Sequence, residues 1–466
     1  MSEILWDGKE VIGVIDGHGS YDWTATGVSI DTRTINKGDI FFALPGINND
    51  GNEFIEDALN KGACSVISNR PSLINSKKVV FVNDVYKALN KLAKYARQRT
   101  QAKIIGITGS SGKTTLKEMI SHCLSEYGKI HKSEKSFNNH IGVPLSLVRM
   151  PINSDFAVFE IGMNTKGEIL KLANLVKPHI AIVNNVGEAH IGNFNSKKEL
   201  IKEKLSILKA LINGGNLIIN EDLKAEIDVN EIENKNINIS SFGFSKNSDI
   251  TLKENFHIDS KNFLKAKFKK EDVNYSLKAF GEHMALNTLP ALLTCDITNN
   301  PIDKFLIKLS TFKNIEGRGN KFKINFLGKS LSVINESYNA NPNSMEAAIL
   351  SFDQLKNNPS SRKVLVIGDM MELGKFSEKY HKKIADIINN SNIDVVYAVG
   401  NEIKYLWDEI SFEKKGIFFN DIDKIISNLQ NIFENKDNIM FKASSKINLG
   451  RIIDELNITK TIRKIA

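Results

Sequence analysis

Cysteine is scarce: Cys64, Cys123 and Cys295 are three among 466 residues. No Cys-x-x-Cys pair occurs, so neither a disulfide framework nor a zinc knuckle is supported, and a reducing, cytoplasmic setting is expected. Long apolar runs are missing too, with nothing near the roughly eighteen residues that a membrane-spanning helix needs. Met1–Glu10 carries acids and only the brief apolar run Ile4–Trp6, which argues against a leader segment and against membrane insertion. The formal net charge is +8, yet there is no basic arm and no dense arginine cluster. Lysine and asparagine are scattered and acids are interspersed, a pattern that suits polyanionic small molecules better than nucleic acid. No internal repeat is found.

What remains is an ordinary globular composition, 41% hydrophobic and 25% charged, in a chain too long for one core. Two to four domains are expected.

The stretch Ile104–Thr115 is the most informative. A branched apolar run, Ile104-Ile105-Gly106-Ile107, leads into Thr108-Gly109-Ser110-Ser111-Gly112-Lys113-Thr114-Thr115, and a helix is predicted from Thr114 to Tyr127, with Leu116, Met119, Ile120 and Leu124 on one side. Strand, tight loop and helix together form an anion cradle. Glycines let several backbone N–H groups converge, and the helix start adds partial positive charge. Lys113 can reach terminal phosphates, and the Thr114 hydroxyl can hold a magnesium ion. The loop is a short Gly-x-x-Gly-Lys-Thr variant, because Ile107 stands where the general pattern has glycine.

Before this loop, residues 1–100 alternate short elements: a strand Asp39–Leu44, a helix Glu53–Lys61, a strand Cys64–Ser68 and a helix Val85–Arg99. The run Ser29-Ile30-Asp31-Thr32-Arg33 offers hydroxyls, a carboxylate and a guanidinium, enough for a nucleotide or pyrophosphate; a turn capped by Ser29 and Asp31 has the same sequence. Past the loop, the strand Asp155–Glu160 ends in a carboxylate, and the strand Ile180–Val186 runs into Gly187-Glu188-Ala189-His190. Ligands gather outside the carboxyl ends of parallel strands, so Glu160 and His190 become candidate metal neighbours of Thr114.

Ser196-Lys197-Lys198-Glu199 has the form of a capping box and opens a helix predicted to Ile212. Leu200, Ile201, Leu205, Leu208, Leu211 and Ile212 share one face. Lys204 falls inside that stripe, and Lys202 points away. A lysine on a buried face either snorkels or changes its chemistry. One such change is reaction with carbon dioxide, which yields a carbamate whose two oxygens suit a hard divalent cation.

Residues 221–280 show alternating runs, Phe263–Phe268 and Tyr275–Phe280, read as antiparallel strands edging the sheet. A helix from Gly281 through Leu293, kinked at Pro290, follows. After Glu316-Gly317-Arg318-Gly319 come a strand Ser330–Asn335, the loop Tyr338–Asn343, a helix Ser344–Leu355, and the strands Lys363–Ile367 and Val395–Val399, a third domain of parallel-sheet type. Arg318, at the junction, either bridges domains or touches a terminal phosphate as its charge transfers.

With these pieces in order, the sequence resembles the Mur ligases over nearly its whole length. The likeness rests on Ser29–Arg33 with Phe41-Phe42-Ala43-Leu44-Pro45-Gly46 and Asp50-Gly51, on the loop Gly109–Thr115, and on Asn138-Asn139-His140-Ile141-Gly142-Val143-Pro144. It continues in Phe159-Glu160-Ile161-Gly162, Asn184–His190, Ser337–Pro342 and Gly368-Asp369-Met370-Met371-Glu372-Leu373-Gly374.

The resemblance implies an α/β protein of three domains. These are a small N-terminal α/β domain (1–100) for a UDP-sugar, a central P-loop-type, mostly parallel sheet with helices on both faces (101–315) for ATP, and a C-terminal Rossmann-like domain (316–466). It implies an ATP-dependent, ADP-forming amide ligase acting in peptidoglycan precursor synthesis on UDP-N-acetylmuramoyl-tripeptide and D-alanyl-D-alanine, as a monomer. It also implies residue roles. Gly109, Ser110, Ser111, Gly112, Lys113, Thr114, Thr115, Asn287, Arg318, Tyr338, Asn339 and Asn341 would hold ATP. Thr114 and Glu160 would hold one magnesium ion; His190 and a carbamylated Lys204 would hold a second. Ser29, Thr32 and Arg33 would face the UDP group, and Asn138 and Asn139 the peptide. Lys113, Lys204, His190 and Arg318 would carry the catalysis.

Three departures from the family pattern stand out. The His-Asn-x-x-Asn stretch reads His283-Met284-Ala285-Leu286-Asn287, Asn335-Glu336 replaces a pair of aspartates, and Lys442-Ala443-Ser444-Ser445 ends without its arginine. The alternatives are a sister ligase that adds a single amino acid or extends folate with glutamate, and a non-catalytic protein that uses ATP as a switch.

Overall fold

Three parallel-rich sheets, one after another along the chain, carry the architecture of the computed structural model, which describes residues 3–46, 49–71, 77–258, 261–279, 281–355 and 360–462. The N-terminal sheet has four parallel strands in the order Gly27–Ser29, Asp39–Phe42, Ser65–Ser68, Val79–Phe81. Successive residues alternate between its faces. Phe42 and Ile67 join the core under the helix Val85–Arg99, while Phe41 and Val66 pack against Ile55 and Ala58 of the helix Ile55–Asn60. The Val85–Arg99 helix has the predicted bounds. Asp84 caps it by accepting from the Lys87 N–H at 2.9 Å, and Val85, Ala88, Leu89, Leu92, Ala93 and Ala96 form its buried stripe.

The central sheet has nine strands. From one edge they are Glu271–Leu277, Lys261–Phe268, Ile250–Ile258, Asn238–Gly243, Asn216–Asn220, Ile180–Val183, Lys103–Thr108, Phe156–Glu160 and Ile130–Lys132. The first two pairings are antiparallel and all others parallel. Both faces are covered, which is why Lys103–Thr108 reads as an unbroken apolar run. Ile104 points into the core shared with Ile169, Leu172 and Val176 of the helix Glu168–Val176. Ile105 and Ile107 point to the other face, against the helices Lys113–Leu124 and Glu282–Ile297. The antiparallel edge foreseen from Phe263–Phe268 and Tyr275–Phe280 is present as far as Leu277; Phe280 lies outside the described residues.

Several boundaries differ from the sequence reading. The helix after Gly281 runs past Pro290 to Ile297 rather than ending at Leu293, because Leu292, Leu293 and Cys295 are fully buried and this packing outweighs the missing N–H. The helix predicted to Ile212 is α-helical only over Lys197–Leu205 and tightens to a 3-10 turn over Ser206–Ala210, where the Ser206 hydroxyl donates to the Glu203 carbonyl at 2.6 Å. The strand predicted to Val186 stops at Val183, and the next residues wrap the phosphate loop instead.

The C-terminal sheet has six strands in the order Asn320–Phe326, Lys329–Asn335, Asn438–Lys442, Lys363–Gly368, Val395–Val399, Lys415–Phe419, of which only the first pair is antiparallel. That hairpin was not anticipated. Its two-residue turn places both Leu327 and Gly328 at positive φ (51° and 86°), and a leucine in that position gives no turn signal.

Candidate active site

The strand Lys103–Thr108 delivers the phosphate loop to the carboxyl edge of the central sheet, at the mouth of a cavity of about 890 Å³. Gly112 starts the Lys113–Leu124 helix with φ 76°; a Cβ there would lie 2.8 Å from Asn184 Nδ2 and 3.0 Å from Asn287 Oδ1, so both conformation and crowding require glycine. The loop is held by the segment after Ile180–Val183. The Ser110 and Ser111 N–H groups donate to the Asn185 backbone and side-chain oxygens, each at 2.9 Å, and Gly187 N–H donates to the Ser110 hydroxyl at 3.0 Å.

Thr114 and Glu160 meet as expected: the Thr114 hydroxyl donates to Glu160 Oε2 at 2.7 Å, and the Asn138 amide donates to Oε1 at 2.6 Å. A buried carboxylate beside the Thr114 hydroxyl, with the Ser136 hydroxyl 3.1 Å further on, is a hard, oxygen-rich donor set that fits a magnesium ion. Asn139 turns away from this group. It lines the cavity, but its side-chain oxygen accepts from the Ile141 and Gly142 N–H groups just before and at the start of the next helix.

Lys204 is 1% exposed, as its place on the apolar stripe requires, whereas Lys202 is exposed. Its Nζ finds one acceptor, the Gly109 carbonyl at 3.3 Å, and Lys113 Nζ donates to that same carbonyl at 2.8 Å. Buried Lys204 and half-buried Lys113 thus share one oxygen, and among the described residues neither forms an ion pair. Burial, and then the neighbouring Lys113 charge, push the Lys204 amine well below its ordinary range. Burial, with Arg318 nearby, lowers Lys113 as well. An uncharged amine is the form that attacks carbon dioxide, so Lys204 fits a carbamate, and the surplus of cationic groups fits a polyanion.

The third sheet closes over this edge. Asn341 Nδ2 donates to the Ser110 carbonyl at 3.4 Å, and the Ser111 hydroxyl donates to Asn341 Oδ1 at 3.3 Å. Tyr338 and Asn339 line the same cavity. Arg318 stacks 4.0 Å from the Tyr338 ring centroid and donates to the Ser136 hydroxyl at 3.3 Å, which in turn lies 3.1 Å from the Thr114 hydroxyl. Asn287 is buried and accepts from the Asn184 amide at 2.9 Å. His190 lines the cavity too, with Nδ1 2.5 Å from Glu372 Oε2.

Ser29, Thr32 and Arg33 lie outside that cavity lining. Ser29 and Asp31 form the capped turn that was the other reading of this run: the Ser29 hydroxyl donates to the Asp31 carbonyl at 3.0 Å, and Asp31 takes Arg33 in a two-pronged pair. Arg33 itself is 86% exposed.

Three participants were not assigned from the sequence. Ser136 joins Thr114 to Arg318. Lys117, fully buried one turn beyond Lys113, donates to the Ser133 carbonyl at 2.6 Å and also to the Lys135 carbonyl, fixing the backbone that carries Ser136. Lys442, also buried, donates to the Asn339 carbonyl at 3.0 Å beside Glu336. Lys117 and Lys442 look like surface lysines until tertiary packing encloses them; only the i, i+4 spacing of Lys113 and Lys117 on one helix face hinted at the first.

Comparisons with known proteins bear on this geometry. Family descriptions match in three segments: "Mur ligase family, catalytic domain" over residues 24–110, "Mur ligase middle domain" over 107–295 and "Mur ligase, glutamate ligase domain" over 324–445. The UDP-N-acetylmuramoyl-tripeptide–D-alanyl-D-alanine ligase of Rickettsia prowazekii is 33% identical over 97% of this chain and 99% of its own length. A crystal structure of MurF from Acinetobacter baumannii superposes with a TM-score of 0.83 at 26% identity, covering 97% of this chain and 98% of that one. MurF ligase from Thermotoga maritima, crystallised in complex with ADP, superposes with a TM-score of 0.77 at 24% identity, covering 94% and 98%.

Proposed function

The chain belongs to the Mur ligase family, and on that premise we propose that it is the ATP-dependent, ADP-forming peptide ligase that joins D-alanyl-D-alanine to UDP-N-acetylmuramoyl-tripeptide in peptidoglycan precursor synthesis. The observation that carries this reading is the meeting, in one cavity, of the phosphate loop with Arg318 and the Tyr338–Asn341 turn of the third sheet. A nucleotide switch needs the loop alone. A ligase needs a second body that closes an acceptor onto an activated acid.

Lys113, the loop N–H groups and Arg318 hold the triphosphate, and Asn287 lies at the nucleoside end. Thr114 and Glu160 hold one magnesium ion; His190 and carbamylated Lys204 hold the second. Bound there, magnesium screens the repulsion between the carboxylate and the phosphates. The tripeptide carboxylate attacks the γ-phosphorus and ADP leaves, giving an acyl phosphate. Lys113 and Arg318 stabilise the charge in transit, and Ser136 keeps Arg318 aligned with Thr114. The amine of D-alanyl-D-alanine then attacks the acyl carbon, and phosphate leaves. Asn138, bonded to Glu160, positions the peptide end. Asn139 acts through the Ile141–Gly142 backbone that it holds. Ser29, Thr32 and Arg33 take the UDP group, with Asp31 releasing Arg33 to the pyrophosphate. The protein works in the cytoplasm as a monomer; among the described residues no helix is long and apolar enough to cross a membrane.

Phosphate release tests the reading. It is expected only with ATP, UDP-tripeptide and D-alanyl-D-alanine together. Release with a single amino acid or a folate in place of the dipeptide identifies a sister ligase, and nucleotide binding without turnover on any acceptor identifies a switch.

A further inference from the structure

His190 and Glu372 sit on two turns that belong to different sheets and grip one another. Both residues are non-glycine and both hold left-handed backbone, φ 64° and 65°. Such conformations are strained for residues with a side chain and persist only where surroundings enforce them. Here each turn enforces the other. Gly192 N–H donates to the Glu372 carbonyl at 3.2 Å, and a Cβ on Gly192 would lie 2.7 Å from the Gly374 nitrogen and 2.8 Å from the Glu372 oxygen. Nearby, Asn343 Oδ1 accepts from the Glu188 N–H at 3.0 Å, and a Cβ on Gly187 would collide with that same side chain. The contact therefore admits glycine alone at two points on the central-sheet side. Across this contact His190 Nδ1 lies 2.5 Å from Glu372 Oε2.

An imidazole that binds a cation through one nitrogen is oriented by the acceptor on its other nitrogen. We propose that Glu372 is the positioning residue for His190. The third sheet brings up the carboxylate that faces Nδ1 at 2.5 Å and so keeps the ring proton on that nitrogen, leaving Nε2 as the nitrogen with a lone pair. The His190 side of the cation site is thus set only when the Gly187–Gly192 segment and the Met371–Gly374 turn are interlocked. Domain closure and magnesium affinity become one event. This rests on the ligase reading, in which His190 faces a magnesium ion.

The test is a magnesium titration of the binding of a non-hydrolysable ATP analogue, followed by calorimetry on the full-length protein, with thermal melts as the control for folding. Glu372→Gln keeps the size of the side chain and removes its charge. It should raise the magnesium concentration for half-maximal binding by about 10–100-fold, with binding in the absence of magnesium unchanged and Glu372→Asp restoring part of the loss. Gly192→Ala retains both His190 and Glu372 but wedges the turns apart, and should raise the magnesium requirement similarly. A Glu372→Gln protein that melts like the wild type and shows an unaltered magnesium requirement overturns the proposal, as does a Gly192→Ala protein with wild-type magnesium affinity. Failure of the ligase reading would show separately, as absent phosphate release by the wild type, and the calorimetric titration would still decide the role of Glu372.

Discussion

The phosphate loop and the Ser29–Arg33 turn are both short, polar and placed at the end of a parallel strand, yet they are built in opposite ways. Around the loop, basic groups are enclosed and, among the described residues, unpaired with acids: half-buried Lys113 and buried Lys204 share the Gly109 carbonyl. In the Ser29–Arg33 turn the charges are exposed and satisfy one another, with Arg33 closed onto Asp31. A site whose basic groups are enclosed has given up hydration in advance and interacts strongly with whatever anion enters. A site whose charges are already paired in water must exchange one partner for another, and gains little. The first arrangement suits chemistry, and the second suits holding a handle.

The largest effect should come from Lys113→Ala, a drop in ligation rate of about 10³-fold, on the scale of losing a preorganised charge in a dry site; a rate within threefold of the wild type would dissolve the contrast at its stronger end. Next is Lys204→Ala, which should lose ligation by about 10²-fold or more and regain part of it with added small carboxylic acids. Full activity in that variant would remove the carbamate from the mechanism. Arg33→Ala should do much less, raising the KM for the UDP-linked substrate about tenfold with little change in kcat, as expected for one exposed charge contact. If Arg33→Ala matched Lys113→Ala, the two regions would not differ in kind.

The smallest effect is on stability. The Lys204 amine titrates far lower in the folded protein than in the unfolded chain. Between those two values the unfolded chain binds a proton that the folded protein does not, so stability falls as pH drops from the ordinary lysine range. In buffer free of carbon dioxide, Lys204→Met should therefore melt a few degrees above the wild type at pH 7, and the gap should narrow toward pH 10. An unchanged gap across that range would mean that Lys204 is not buried as an amine.

Local chemistry was legible in the chain. Ile104–Thr115 announces its strand, loop and helix because glycine and apolar spacing act over a few residues, and Lys204 announces its burial because helical periodicity places it among leucines. Strand-end logic likewise brought Glu160 beside Thr114. The same rules misjudged Val183–Val186 and the helix after Leu205, where an apolar run or a stripe continued but the backbone was claimed by partners distant in sequence, Ser110 and Ser111 in the first case.

Residue order therefore settled that this protein has a phosphate cradle, an oxygen-rich carboxylate beside it and a buried lysine nearby, since each follows from short-range sterics and periodicity. It could not settle that Ser136 links Thr114 to Arg318, that Lys117 and Lys442 are enclosed, or that Glu372 reaches His190. Those contacts span sequence separations of 182 residues in the Ser136–Arg318 bond and 103 in the Lys442–Asn339 bond. The Ser136–Arg318 and His190–Glu372 contacts exist because the central and C-terminal domains meet at the cavity, whereas Lys117 and Lys442 are enclosed by turns of their own domains; no local preference encodes either kind of meeting.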